Sequence, residues 1–570
     1  MSPSNLVYEL HRDGYIHNWL LAGTQTIPVQ DFPGIPNAMS QIIARHYCEH
    51  SQVGQHIQEW DPPFTVDGEE LHWMYTRCLD DHLIDLSCYH PSWQYLRAWA
   101  YTEVDCAQDN RVMLALTACG PADLWIDDQH LHRRDSFHPD GPHTTHVEAM
   151  LHQGRNRILV RAEQVANGHT PYVVGLQLQG LAADQATVLL PTIIDNPERR
   201  RHLEYIIDEA YLDRDLYRGD DEVVVHWPAD LTQMAEILLR FQDCDGKVSV
   251  EGQAVGKAGN AFGLVHGVEM PDAAYRVVVM PRTREYYEFN QRVKKSINLY
   301  ISHSGHSAKV YGSQEERRLE ALDYAARSTG GSAFTELAKM ELGWWSHVKQ
   351  DVLLSAIERA RLGYCDSVPD LMAVFKIAYT HAENPAFPAA IREALATSVC
   401  GARCWLDSLH ASLPGYATES RYILLCAAEI LAGQLYPDAI FAATGQTGHW
   451  HRETGEKKAL AWLHARGTGG FADWDSGPAF GEELVALVNL AELAQNPVVR
   501  RLAGMVANKI LFSIALNSYL GTWGTTQGRS TAAIVKNPQL SPTSGIMRIL
   551  WGMGAYNESL PEIVTLATAQ

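Results

Sequence analysis

The sequence predicts an α+β multidomain chain in which a jelly-roll-like β-sandwich part precedes an (α/α) toroid. Three observations predict it. Short apolar runs broken by Gly, Asp and Asn fill much of residues 95 to 312, and capped segments of helical spacing replace them from 313 onward. A length of 570 residues also exceeds one ordinary domain. The expected division is a β-sandwich-rich region at 1–312, separable into about 1–185 and 186–312, and a toroid at 313–570.

The β elements come first. "RVMLALTACG", "ADLWIDDQHL", "NRILVRAEQV" and "PYVVGLQLQG" are strand-like runs between turn residues, and "GPADLWIDDQHLHR" reads as a hairpin turning through Asp-Asp. "EVVVHWP", "GKVSVEGQAV", "YRVVVMPR" and "INLYISHS" give a second set between about 220 and 312. The helical half opens at "SQEERRLEALDYAARSTGG", with a Ser cap, early glutamates and a terminal Gly pair. Helices are expected near 333–343, 346–362, 368–382, 386–399, 419–434, 453–466, 480–495, 497–518 and 558–568. They share no strict period, so a TPR or HEAT array is not expected; a plain helical bundle is the alternative to a toroid.

A net charge of −21, from 46 Lys+Arg against 67 Asp+Glu, argues against a nucleic-acid or membrane-surface partner. No secretory signal and no run near 18 apolar residues is visible, and the ten cysteines are scattered singly. Cytoplasmic free thiols and no cofactor are the expectation. The 15 Trp and 24 Tyr supply flat stacking surface. Nucleotide-binding and serine-hydrolase spacings are absent. His138, His143, His146 and His152 crowd one stretch, but no cysteine or carboxylate pair completes a metal spacing, so no metal is expected.

The candidate chemistry lies in the helical half. Glu419 follows Thr418 at a helix start, where the dipole and free N–H groups stabilise an anion; a plain capping glutamate would look the same. Asp473 and Asp475 sit in "GTGGFADWDSGPAF" beside Phe471, Trp474 and Phe480. A carboxyl against aromatic surface is partly desolvated, which raises its pKa, although Asp before Ser-Gly-Pro also closes ordinary turns. Glu482 and Glu483 open the next helix, where acids are favoured by the dipole alone. "TGQTGHWHRETGEKK" offers His449, Trp450 and His451, and "LGTWGTTQGRSTAAIVKN" offers Trp523, Gln527, Arg529 and Lys536. Arg presents a planar fork to a carboxylate or to paired hydroxyls.

The run from "TESRYILLCAAEILAGQLYPD" to "FGEELVALVNLAELA" resembles the core of an (α/α)-toroid family. That family's pattern is T-E-N-H, a helix ending L-A-G-Q-x-x-P-D, G-x-T-G-x-x-H, then R-x-x-x-G-F-x-E-W-x-S-x-x-Y. The nearest group is glycoside hydrolase family 154, β-glucuronidases with a β-sandwich before the toroid, and the resemblance covers roughly 410–535. It implies Glu419 and Asp473 as the catalytic carboxylates. It sets Gln434 and Asp438 on the L-A-G-Q-x-x-P-D positions, His451 or His449 on the loop histidine, and Arg529 on a later arginine. Three positions depart from it: Ser420-Arg421 replaces Asn-His, Asp473 replaces Glu, and Phe480 stands for the tyrosine.

The expected function is an exo-acting, β-glucuronidase-like hydrolase on a uronic-acid-containing oligosaccharide. Arg421, His449, Trp450, His451, Trp474, Asp475, Glu482, Trp523 and Arg529 would bind substrate. A polysaccharide lyase using Tyr416, Tyr422, His449 or His451 is one alternative; a non-catalytic carbohydrate-binding protein is another. A homo-oligomer is compatible with the sequence, with the β half as its interface.

Overall fold

The computed structural model describes residues 4–29, 38–53, 57–59, 63–78, 81–138, 141–192, 197–243, 246–282, 293–303, 309–329, 331–362, 367–402, 405, 418–557 and 559–569. It is a mixed α and β structure, with strands dominating up to Ile301 and helices from Gln314 onward.

Tyr89–Cys106 and Gly154–His169 pair antiparallel in the middle of an eight-stranded sheet. A four-stranded sheet contains Asn110–Ala118 and Val173–Gln179, and both sheets send alternate residues into one core: Leu96, Ala98 and Ala100 from one, Leu114, Leu116 and Leu178 from the other. The Asp-Asp hairpin forms as expected. Ala122–Ile126 pairs with Gln129–Arg134, and Asp127 and Asp128 adopt φ of 49° and 67°, the left-handed values a two-residue type I′ turn requires. Ala186–Thr192 pairs with Ser4–Glu9 and Tyr89–Cys106, so the first sheet runs past the expected division near 185. A second group of five- and three-stranded sheets shares a core that includes Val277, Trp227 and Ile206.

Among the described residues, two helices occur among the strands, α1 (Ala38–His46) and α2 (Pro197–Asp208). The helical half comprises α3 (Gln314–Arg327), α4 (Ala333–Glu341), α5 (Gln350–Arg361), α6 (Ser367–His381), α7 (Ala389–Cys400), α8 (Glu419–Leu435), α9 (Gly448–Gly469), α10 (Gly477–Leu493), α11 (Pro497–Leu516), α12 (Ala532–Lys536), α13 (Pro542–Trp551) and α14 (Leu560–Ala567). The α3 capping box forms as its sequence predicts: Glu316 N–H donates to Ser313 Oγ, and the Ser313 amide donates to Glu316.

Helices α4, α6, α8, α10 and α14 are buried on most of their surface, each packs on the next, and α14 returns to α4. They run in one direction. The Ala333 amide at the start of α4 donates to Asp370 in the first turn of α6, and Gln434 at the end of α8 bonds both Tyr379 of α6 and the Leu493 carbonyl of α10. The first turns of α10 and α14 meet where Gly481 lies against Glu562. All the positive helix ends therefore gather at one end of the circuit.

Helix α9 runs back antiparallel along α8. A Cβ on Gly433 would lie 2.4 Å from the Gly448 carbonyl oxygen and 2.7 Å from the Arg452 nitrogen, both backbone atoms that cannot swing aside. Gly433→Ala is expected to destabilise the chain by ~1–3 kcal/mol, read as a fall of several degrees in Tm by calorimetry.

Candidate active site

The candidate site forms where α8, α9 and α10 meet. Thr418 caps α8, accepting the Arg421 N–H at 3.3 Å, so Glu419 becomes the first helical residue. Its Oε2 accepts the backbone N–H groups of Ala472, at 2.6 Å, and Asp473, at 3.1 Å. Its Oε1 meets the guanidinium of Arg466, in the last turn of α9. Glu419 thus clamps the loop 470–476 onto the start of α8, with an arginine neutralising the nearly buried anion.

The clamp fixes Asp473 beside it. The Asp473 side chain is 24% exposed, and its Oδ2 accepts Arg529 Nη1 at 3.1 Å. Asp475 has φ of +40° and accepts the Ser513 hydroxyl at 3.2 Å. Ser476 then caps α10, accepting from Ala479 N–H, with Pro478 in the first turn. Across the gap, Ser420 Oγ donates to Glu482 at 2.7 Å, and Arg421 Nη2 lies 3.4 Å from the same carboxylate.

Glu483, one residue further along α10, is wholly buried, and neither oxygen has a hydrogen-bond partner among the described residues. Its pKa is raised to about 9, chiefly by burial and then by the charges of Glu419 and Asp473, against the pull of Arg466. It carries a proton at neutral pH, while the neighbouring Glu419 is engaged by two N–H groups and an arginine. Glu562 on α14 is pushed to about 8, again chiefly by burial.

Several expectations need correction. Trp474 is 67% exposed, so its indole does not shelter Asp473; the sheltered acid is Glu483. The aromatic floor is Phe471, Phe480 and Trp523, with Phe480 edge-on to Phe471 at 5.0 Å and stacked on Trp523 at 5.6 Å. Trp523 is buried and supports the site without opening to substrate. His449, Trp450 and His451 begin α9 beside the carboxyl end of α8. They lie a helix length from Glu419, about 25 Å for 17 residues. His451 is enclosed there, bonded to Glu429 at 2.8 Å and Thr444 at 2.7 Å, while His449 is half exposed near Asp438. Gln434 is scaffold, and Lys536 reaches across to Asp215 in the β half. Tyr416 lies outside the described residues. His138 and His143 stack at 3.8 Å, and no metal-holding group of three or more His, Cys, Asp or Glu occurs among the described residues.

Two site residues escape sequence reasoning. Arg466 stands at the arginine of the R-x-x-x-G-F pattern, but only the antiparallel α8–α9 packing identifies its partner. Glu483 carries a signal in plain view. Phe480, Glu483, Leu487 and Leu490 fall at one helical face, so an acid stands in core register.

Glu483 ties stability to pH. Unfolded, its carboxyl ionises near 4.5; folded, near 9, so between these values the unfolded chain sheds a proton that the folded chain keeps. Stability therefore falls as pH rises through that window, by up to about 1.4 kcal/mol per pH unit. Glu483→Gln is expected to raise Tm by several degrees at pH 8 and to change it little at pH 5, as thermal melts at the two pH values would show.

No family model and no curated protein matches the chain. Similar solved structures include a glycosyl hydrolase family 2 member from Bacteroides cellulosilyticus, at 16% identity and TM-score 0.16, covering 40% of this chain and 33% of that one. A β-glucuronidase from Parabacteroides merdae follows at 10% identity and TM-score 0.16, covering 54% of this chain and 37% of that one. A β-glucuronidase from Ruminococcus gnavus, in complex with D-glucaro-d-lactam, has 9% identity and TM-score 0.14, with coverage of 57% and 54%. The chain spans about a third to a half of the length of these proteins. At such TM-scores the likeness fixes neither the fold nor the activity of this chain.

Proposed function

We propose that the chain is a glycoside hydrolase that releases a uronic acid residue from the end of an oligosaccharide. On this reading the helical half is an (α/α) toroid and the β half a set of jelly-roll-like sandwiches. One observation carries it: a carboxyl that is neutral at neutral pH, Glu483, shares one end of the helical circuit with the carboxylates Glu419 and Asp473. Cleaving a glycosidic bond requires a proton for the leaving oxygen and an ionised carboxylate for the sugar carbon or its water.

Asp473, partly open to solvent, is the carboxylate that a sugar meets first. Glu419 is its nearly buried companion, and the carboxylate pair is Glu419 and Asp473. Glu483, buried out of a sugar's reach, is a positioning residue that keeps a proton in the cluster. One member of the pair then passes a proton to the leaving oxygen while the other, ionised, serves the sugar carbon or its water. The half-exposed Arg529 offers its fork to the uronate, and Trp474, whose carbonyl accepts the Gly528 amide next to Arg529, offers an open stacking face.

The test is turnover of an aryl β-glucuronide. Asp473→Asn is expected to lower it roughly 10²–10⁴-fold with Tm unchanged, and Glu419→Gln at least as far, because it also frees the loop. Wild-type turnover undisturbed in Asp473→Asn would reject the assignment.

A second reading has its own support: both oxygens of Glu419 are engaged by its own chain, as in a strut of a carbohydrate-binding protein. That reading predicts glycan binding without turnover in the wild type, with binding retained in Asp473→Asn. The β-elimination alternative has lost His449 and His451 to the far end of the circuit.

A further inference from the structure

Arg529, the proposed contact of the substrate's carboxylate, is held poorly by its own segment. It adopts φ of 53°, in the left-handed region that a residue with a Cβ rarely enters. Such a conformation lasts only where its surroundings hold it. The segment around it, "GTTQGRST", consists of glycine and small or polar residues. One side of it is fixed: the Gly528 amide donates to the Trp474 carbonyl at 2.6 Å, and a Cβ on Gly528 would stand 3.0 Å from that oxygen. The other side runs straight into α12, whose cap is Thr531, accepting the Ile534 amide at 3.3 Å.

Helix α12 has five residues, far below the ~12–15 at which a helix begins to hold without outside support. Of its side chains only Ile534 is buried, and Val535 is 67% exposed. Its last residue, Lys536, forms an ion pair with Asp215 of the β half. Asp215 itself is firmly placed. Its carbonyl accepts the Tyr300 amide at 2.8 Å, and the next residues, Leu216 and Tyr217, pair parallel with Tyr300 and Ile301 at the edge of the five-stranded sheet. Tyr217 is wholly buried and donates to Asp213 at 3.1 Å, which anchors the turn that presents Asp215. A loose segment of the helical half thus leans on a stiff edge of the β half.

We infer that the β half takes part in substrate recognition: Asp215, through Lys536 and α12, holds Arg529 where it meets the substrate's carboxylate. Asp215 and Lys536 act through Arg529 and are positioning residues. Between Arg529 and α12 lie only Ser530 and Thr531, so little chain is left to absorb a movement of the helix. Asp473 is held separately, by its backbone amide on Glu419. A shift of Arg529 therefore changes how well the anion binds more than how fast the bond breaks. The inference rests on the proposed activity, because it assigns Arg529 an anionic sugar.

Charge reversal across the pair tests it in the full chain, read by KM and kcat for an aryl β-glucuronide and by hydrogen exchange of the amides of residues 524–536. Lys536→Glu is expected to speed exchange of the Gly528 and Ile534 amides with Tm unchanged. It is also expected to raise KM roughly fivefold, the upper range for an exposed ion pair, and to leave kcat nearly as it was. Lys536→Arg is expected to match the wild type. Asp215→Lys/Lys536→Glu, which restores the attraction with the charges exchanged, is expected to recover both readings. Unchanged exchange in Lys536→Glu overturns the inference alone, and so does faster exchange with an unchanged KM. A raised KM that the exchanged pair fails to recover overturns it as well, since Lys536 would then meet the sugar directly. A wild type that turns over no aryl glucuronide removes the proposed function, and this inference with it.

Discussion

The acid cluster depends on one contact, the carboxylate of Glu419 bridging three pieces of chain. It opens α8, holds the amides of Ala472 and Asp473, and meets Arg466 at the end of α9. An isolated buried carboxylate would be neutral or intolerable, but here two N–H donors, a helix N-terminus and a guanidinium converge on it. The consequence is geometric. A glycine-rich loop with little cohesion of its own is fixed at the residue whose side chain, Asp473, faces solvent. Arg529 and the Asp475–Ser513 bond then steady the same loop from outside. Phe471 and Phe480 fill the space beneath.

Why acids accumulate at this end follows from the direction of the inner helices. All five present their N-termini there, and each carries a carboxyl in its first two turns: Glu336, Asp370, Glu419, Glu483 and Glu562. Glu336 and Glu419 are satisfied, the former by Lys339 and the Lys349 amide. Glu483 has no partner for either oxygen among the described residues and Glu562 none for one of its two, and burial keeps both protonated at neutral pH. A core position occupied by a protonated acid is less stable than the same position filled by an apolar residue. Such sacrifices of stability are concentrated where a site needs the group.

Much of the secondary structure was legible in the sequence, because period and capping are local. The eight quoted strand runs all lie on strands, and ten helices of the helical half fall near their expected ranges. Of the missed helices α1, α2, α12 and α13, two share a cause: α2 and α13 each begin with Pro, and at α13 Ser541 caps while Pro542 fills the first helical position. The site was legible only in part. Glu419, Asp473, Arg529, Arg421 and Glu482 come together, but His449 and His451, close to them in sequence, belong to the other end of the circuit. A helix carries the chain away from a site as readily as towards it, and periodicity does not say which end of α9 returns. The burial of Glu483 is written in its register with Phe480, Leu487 and Leu490, but the helix dipole alone accounts for an acid at that start, and that reading hid the register.

The charge arrangement at the mouth constrains the proposed substrate. Each arginine there already faces a carboxylate of the chain: Arg466 with Glu419, Arg529 with Asp473, and Arg421 with Glu482. The site is therefore no open positive patch, and on a chain of net charge −21 it gains little long-range attraction for an anion. A uronate reaching Arg529 must compete with Asp473 for the same guanidinium. Binding of that anion would loosen Asp473 from its partner as the sugar ring arrives, so a single exchange would both recognise the substrate's charge and free a carboxylate beside it. A neutral sugar makes no such exchange, and discrimination between the two then lies in the Asp473–Arg529 pair itself and not in the field around it.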